Sequence, residues 1–215
     1  MSTQPILAFD CATVGASIAL RVHGNTTTRQ IGQTAQAAQL LPAIASLMDE
    51  ARVSYAELGA IITTIGPGSF TGVRIGLAAL HGLVLVSQTP IKTLSTLQAM
   101  AWAVARKPNA PNHFWIALRA GKGELYAQKF IADAGVPVAD SAITLLPETF
   151  TAWDAPCYAN HVGMNDPCFI HGPDGATMCA IAEYLPATTL AEALPLYIRP
   201  PDAIAAAPHA WLQLN

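Results

Sequence analysis

Charge is scarce in this chain. Asp, Glu, Lys and Arg make up only 12% of the residues, about half the ordinary share. The 11 basic residues are scattered, no Lys/Arg run exists, and the formal net charge is −3. A stand-alone nucleic-acid binder carries a basic patch or stripe. None is present, so any contact with nucleic acid would rest on cations that a partner supplies. Cysteine is sparse too: Cys11, Cys157, Cys168 and Cys179 form no C-x-x-C pair, which speaks against a zinc ribbon or a dithiol redox motif. The opening Met1-Ser-Thr-Gln-Pro lacks a basic segment, and Ile6 to Phe9 is too short an apolar run for a secretory leader. No stretch approaches the roughly 20 apolar residues of a membrane span. The expectation is a cytoplasmic protein with free, structural thiols and no membrane contact.

Several catalytic signatures are also missing. The glycine-rich run Gly66-Pro-Gly-Ser-Phe-Thr-Gly-Val-Arg-Ile-Gly76 is not a P-loop, because Val73 follows Gly72 where lysine is required. It is one residue too long for the dinucleotide fingerprint. It lacks the G-x-S-x-G spacing of a nucleophile elbow, so Ser69 reads as a helix cap rather than an activated hydroxyl. The histidines are His23, His81, His113, His161, His171 and His209. No two are four apart, so no pair shares a helical face in the H-x-x-x-H manner. His161 and His171, near Asp166, Cys168 and Asp174, read as loop polars. The expectation is no catalytic residue and no metal site.

What is present is apolar: 52% of the chain. Either much of it is buried, partly as alanine, or some of it meets a partner. Ile6 to Asp10, Ala16 to Val22 and Thr26 to Ile31 read as three strands, the last two joined by a turn at His23-Gly-Asn25. Leu40, Leu41, Ile44, Leu47, Met48 and Ala51 follow helical spacing, with Pro42 expected in the first turn or at a kink. Gly59 to Ile65 is a β-branched strand. Thr71 to Val86 is a helix apolar almost all round, which implies burial or an interface. A short strand over Pro90 to Thr93 and a helix capped by Ser95 follow. The Pro/Asn-rich stretch Lys107 to Asn112 is the best linker. It divides the chain into an N-terminal lobe, 1–106, and a smaller one, 113–215. The second opens with a hairpin, Phe114 to Arg119 and Glu124 to Ala132, and carries one later helix near Gly175 to Tyr184. The fold class is α/β, two lobes of mixed sheet with flanking helices.

As a strand-to-helix turn, Gly66 to Gly72 offers backbone N–H groups to an anion. Asp10, Gly66, Gly68, Ser69, Thr71, Gly72 and Arg74 form the candidate anion- or nucleotide-proximal loop. Arg74 is a cation near a helix N-terminus, where it is unfavourable, which makes it a candidate for a phosphate or an acidic partner. Gly72, Gly76 and Ala79 share a helical face. With Leu40, Leu41, Ile44, Leu47, Met48 and Leu83 they form the candidate partner interface.

The glycine-rich run resembles the hallmark of the TsaB (YeaZ-like) proteins. Ile6-Leu-Ala-Phe-Asp-Cys-Ala-Thr13, Leu40-Leu-Pro42, Ser95-Thr-Leu97, Gly123-Glu-Leu-Tyr126 and Leu196-Tyr-Ile-Arg199 fall in that family's order. The resemblance implies a two-lobed actin/Hsp70-like fold of the ASKHA superfamily, RNase H-like in its first lobe. It implies a non-catalytic scaffold that pairs with a TsaD-like paralogue for threonylcarbamoylation of adenosine 37 in tRNA. A TsaE-like ATPase would be a further partner, a homodimer the state of the chain alone, and tRNA only an indirect contact. No cofactor would be tightly bound, and ATP or ADP would sit only at an interface shared with the paralogue. The competing readings are an enzyme of the same fold, metallopeptidase-like (glycoprotease, peptidase M22) or kinase-like, and a homodimeric binding module. Two departures stand out. Gln36-Ala-Ala-Gln39 replaces a histidine-bearing lead-in to Leu-Leu-Pro, and Arg119-Ala-Gly121 replaces Asp-Ala-Arg ahead of Gly-Glu-x-Tyr.

Overall fold

The computed structural model describes residues 4–163 and 165–198. Among these described residues, ten strands and four α-helices follow one another. The first ninety-odd residues contain β1 (Ile6–Asp10), β2 (Ala16–Val22), β3 (Asn25–Ile31), α1 (Gln36–Ala51), β4 (Ala60–Thr64), α2 (Phe70–Ser87) and β5 (Ile91–Leu94). These build a five-stranded sheet in the order β3-β2-β1-β4-β5. The β1–β2–β3 meander is antiparallel, and β4 and β5 run parallel to β1. Parallel neighbours need crossovers, and α1 and α2 provide them. β1 and β4 are buried along their whole length, which explains their unbroken apolar runs.

Alternation along β1 divides two cores. Leu7 and Phe9 face α1 and α2, packing with Leu40, Ile44, Leu47, Leu77 and Leu80. Ile6 and Ala8 face the opposite side, packing with Ala99, Trp102, Met178 and Ile181. That second side is covered by α3 (Thr96–Ala105) and α4 (Gly175–Ala180). α3 is apolar on a further face: Leu97, Met100, Ala101 and Val104 join Phe114, Ile116, Leu118 and Phe130 of a second sheet. α3 is therefore the packed element between the lobes.

The second sheet uses β6 (His113–Gly121), β7 (Glu124–Asp133), β8 (Val136–Ala139), β9 (Thr144–Pro147) and β10 (Cys157–Ala159). Its order is β10-β6-β7-β8, with β9 also paired to β7. The chain does not keep to the division 1–106 and 113–215. After β10 it returns to the first sheet. There α4 packs on it, Lys92 Nζ donates to the Ala182 and Leu185 carbonyls at 2.7 and 2.6 Å, and Thr188 N donates to Ile91 O at 2.9 Å. The apolar residues of that stretch match the open face of the first sheet.

Two further expectations change. α1 begins at Gln36, so Pro42 lies inside the helix rather than in its first turn and leaves one helical carbonyl without its usual donor. α2 spans 18 residues, long and apolar enough by length and composition alone to cross a bilayer. Its Val73, Leu77, Leu80 and Leu83 nevertheless lie in the first core, as in a core helix of a globular domain. Asp166 and Asp174 serve as local caps: Cys168 N donates to Asp166, and Ala176 N and Thr177 N donate to Asp174.

Candidate functional site

The glycine-rich turn lies against the β1–β2 loop with no room between them. A Cβ on Gly68 would collide with the Ala12 carbonyl, and one on Gly72 with the Cys11 carbonyl. Only glycine permits that approach. Ser69 is the N-cap of α2: its Oγ accepts from Gly72 N at 3.1 Å. Ser69 N donates to Ala12 O at 2.7 Å and Val73 N to Ser69 O at 2.9 Å. Two amides of the turn that the sequence offers to an anion, Ser69 N and Gly72 N, are thus taken by protein acceptors, and the Ser69 hydroxyl is engaged in capping. Thr71 and Arg74 point outward, while Gly66 is buried, its carbonyl accepting from Thr96 N at 2.7 Å.

Asp10 closes β1 from beneath the same loop. It is 1% exposed. Ala12 N and Thr13 Oγ1 donate to it at 3.1 Å each, and Thr64 Oγ1 makes a short bond to it. Burial outweighs these donors and raises the carboxyl from 3.8 to about 6. The neighbouring Cys11 thiol is pushed up to about 12 by burial and by Asp10, so it stays an unreactive thiol. Gln36 completes the loop: its Nε2 donates to Cys11 O at 3.3 Å and to Gly15 O. Thr64 carried no signal in the sequence, and Gln36 only as part of the segment that departs from the family pattern. That departure, Gln36-Ala-Ala-Gln39 in place of a histidine-bearing lead-in, was the available signal.

The candidate interface residues separate. Leu40, Ile44, Leu47 and Met48 are fully buried in the first core, and Gly72, Gly76, Ala79 and Leu83 are buried as well. A Cβ at Gly76 would already sit 3.6 Å from Cys11 Cβ and 3.7 Å from Thr63 Oγ1. The small-residue face of α2 therefore packs on the chain's own sheet. The expectation that Gly72, Gly76 and Ala79 meet a partner is corrected accordingly. Of the interface set, Leu41 stays exposed, one position round the helix from Leu40. With Pro42, Ala45, Tyr55, Gly82, Leu83 and Val86 it lines a shallow groove between α1 and α2, almost wholly apolar. Leu41, Leu85 and Val86 are 50%, 78% and 79% exposed.

A larger cavity of about 810 Å³ opens between the lobes. Thr13, Ser69, Phe70 and Arg74 line it from the first lobe, and Arg119, Tyr126 and Asn160 from the second. The segment Leu196–Ile198 crosses its wall. Leu196 N donates to Ile65 O at 2.7 Å, and Ile198 packs against the second-sheet core. Between them Tyr197 stacks on Phe70 with centroids 5.6 Å apart and accepts a 3.0 Å hydrogen bond from Arg74 Nε. The Arg74 guanidinium lies 3.6 Å over the Phe70 ring. Arg119 pairs with Glu148 at 2.7 Å, and its backbone N donates to Asn160 Oδ1 at 2.8 Å. Arg199, the last residue of the Leu196-Tyr-Ile-Arg motif, lies outside the described residues.

Residues 25–143 match the family model described as "TsaD: tRNA N6-adenosine threonylcarbamoyltransferase". The chain is 33% identical over 129 residues to the tRNA threonylcarbamoyladenosine biosynthesis protein TsaB of Escherichia coli (strain K12), covering 60% of this chain and 55% of that one. It is 30% identical over 134 residues to the Haemophilus influenzae protein of the same name, covering 62% and 56%. It thus spans about half the length of the curated relatives it matches. A solved structure, YeaZ from Pseudomonas aeruginosa, superposes with a TM-score of 0.75 at 25% identity, over 91% of this chain and all of that one. The two-lobed fold implied by the sequence is the fold the chain has.

Proposed function

The chain belongs to the family described as TsaD: tRNA N6-adenosine threonylcarbamoyltransferase, as a TsaB/YeaZ-like protein, and from that premise we propose that it is a scaffold subunit in tRNA threonylcarbamoyladenosine biosynthesis, docking a TsaD-like paralogue through the α1–α2 groove. The groove carries this reading. It exposes Leu41 and Val86 together, an apolar face that a partner would remove from water at about 25 cal/mol per Å². Without the paralogue, two copies would pair by the same face in an isologous dimer.

A non-catalytic role fits the groups that an enzyme of this fold would use. The carboxylate of Asp10 is sealed and bonded to three donors, and Ser69 Oγ caps α2. ATP or ADP belongs, on this reading, to the interface shared with the paralogue, and a TsaE-like ATPase joins the pair in the cytoplasm. tRNA is held mainly by the partner, because this chain has a formal net charge of −3.

The test is reconstitution with the TsaD-like protein of the same organism. The two should co-elute, and modified tRNA should form only when both are present. Product made by this chain alone, or made at an undiminished rate without it, would overturn the proposal.

A further inference from the structure

The segment Leu196–Ile198 grips both lobes with consecutive residues. Leu196 N donates to Ile65 O at 2.7 Å, just beyond the end of β4. A Cβ on Gly66 would meet the Leu196 carbonyl at 3.0 Å, so the segment lies directly on the glycine-rich turn. Tyr197 is held twice at the start of α2. Its ring stacks on Phe70, and its hydroxyl accepts from Arg74 Nε at 3.0 Å. Arg74 in turn lies 3.6 Å over the Phe70 ring, so the three side chains form one cluster. Ile198 then packs on the core that α3 shares with Leu118 and Tyr126 of the second sheet. Elsewhere the lobes meet through α3, whose apolar residues enter both cores, and a cavity of about 810 Å³ keeps facing surfaces apart. Two bodies packed about one helix can turn about it, as in hinge and shear closure. A second attachment across the cavity wall takes that freedom away.

We propose that Leu196–Ile198 is an interlobe clasp, which ties the second lobe to the first turns of α2 and holds the two lobes as one rigid body. Tyr197 is its fastening residue. The side chain is 48% exposed, so burial alone holds it weakly. Ring stacking and a hydrogen bond from a charged donor supply the rest. The clasp is independent of the scaffold reading, since it needs neither a partner nor tRNA.

Electron-spin distance measurement on the full chain tests it. The labels go on Thr27→Cys in β3 and Asp133→Cys at the end of β7, both exposed positions. Cys157→Ser and Cys168→Ser remove the two accessible thiols, since Cys11 and Cys179 are buried. Dilution into unlabelled protein removes distances between copies. With the native strap the labels should give one narrow distance. Tyr197→Ala should replace it with a broad distribution, and so should Leu196→Pro, which deletes the N–H that Ile65 O accepts. Circular dichroism separates unfastening from unfolding; if one variant misfolds, the other decides. A broad distribution with the native strap, or a narrow one kept by a folded variant, overturns the clasp. Hydrogen exchange on the unsubstituted chain gives a second readout. The Leu196 amide should exchange as slowly as the amides of β4, and exchange as fast as in an exposed loop overturns the clasp as well.

Discussion

The two ends of α2 are built on opposite terms. At its N-terminal end the helix is pressed onto the β1–β2 loop so closely that a Cβ at Gly68 or Gly72 meets a carbonyl oxygen. The hydrogen bond from Ser69 N to Ala12 O seals that contact, and Ser69 in turn caps the Gly72 and Val73 amides. At its C-terminal end Gly82 is exposed with open space around it, and Leu85 and Val86 stand almost fully in solvent. Glycine thus serves one end by its lack of a side chain, while the other end keeps apolar side chains uncovered. A helix apolar all round says that two surfaces must be covered. It does not say which is covered by the chain itself.

The largest effect should come from filling the closed end. Gly72→Val puts two methyl groups where the Cys11 carbonyl lies. Backbone cannot give as a flexible side chain does, so the cost should reach or exceed about 3 kcal/mol, the upper part of the overpacking range. Loss of the cooperative thermal transition in circular dichroism is the expected outcome. Gly82→Val, with nothing within 4 Å of its Cβ, should leave a normal transition. Equal damage at both positions would erase the contrast between the ends.

Next comes Asp10, beneath the closed end. Its carboxyl is raised from 3.8 to about 6 by burial. Between those values the folded state holds the proton more tightly than the unfolded chain does. Stability therefore falls as pH rises through the window and is level above it. The full span is about 3 kcal/mol, at about 1.4 kcal/mol per unit. Asp10→Asn should remove this component, so that its melting temperature declines less than the wild type's between about pH 4 and pH 6.5. Parallel curves for the two proteins would mean that Asp10 is not sealed. Smaller again is the helix cap: Ser69→Ala should cost about 1 kcal/mol in denaturant unfolding.

The strand and helix order of the first lobe was legible because its signals are strong: buried apolar runs in β1 and β4, a Gly-Asn turn before β3, and Ser95 capping α3. β8, β9 and β10 were not. They are short and half-exposed, and such strands are held by neighbours that are distant in sequence. The glycine-rich run was legible as a specific motif, but its purpose was misread. Periodicity reports that small residues share a face, not that carbonyls of another loop lie against it. On α1 the clean stripe Leu40, Ile44, Leu47 and Met48 looked like an interface because it was the most apolar face. The most apolar face went to the core, and the groove uses Leu41 and Ala45 beside it. Tyr197 was marked by the Leu196-Tyr-Ile-Arg motif, but its contacts were not legible, since its partners Phe70 and Arg74 lie more than a hundred residues away.

The smallest effect on the fold should come from the open end, and there the comparison is sharpest. Val86 is 79% exposed and lines the α1–α2 groove. Replacing it with aspartate breaks no packing inside the chain, so stability should change by no more than about 0.5 kcal/mol, as for other surface substitutions. In a docked complex the same carboxylate would be desolvated against apolar residues such as Leu41 and Ala45, with no cation among the residues lining the groove. An unpaired buried charge is far costlier than an exposed one. Val86→Asp should therefore abolish co-elution with the TsaD-like partner, and any self-association, while the melting curve stays in place. Gly76→Leu is the counterpart. Its new side chain would meet Cys11 and Thr63 inside the lobe, so it should unfold the chain rather than dissociate it. Sedimentation and circular dichroism on the two variants separate the surfaces. A folded Gly76→Leu with lost association, or a Val86→Asp that still pairs normally, would move the interface away from the groove and back to the small-residue face.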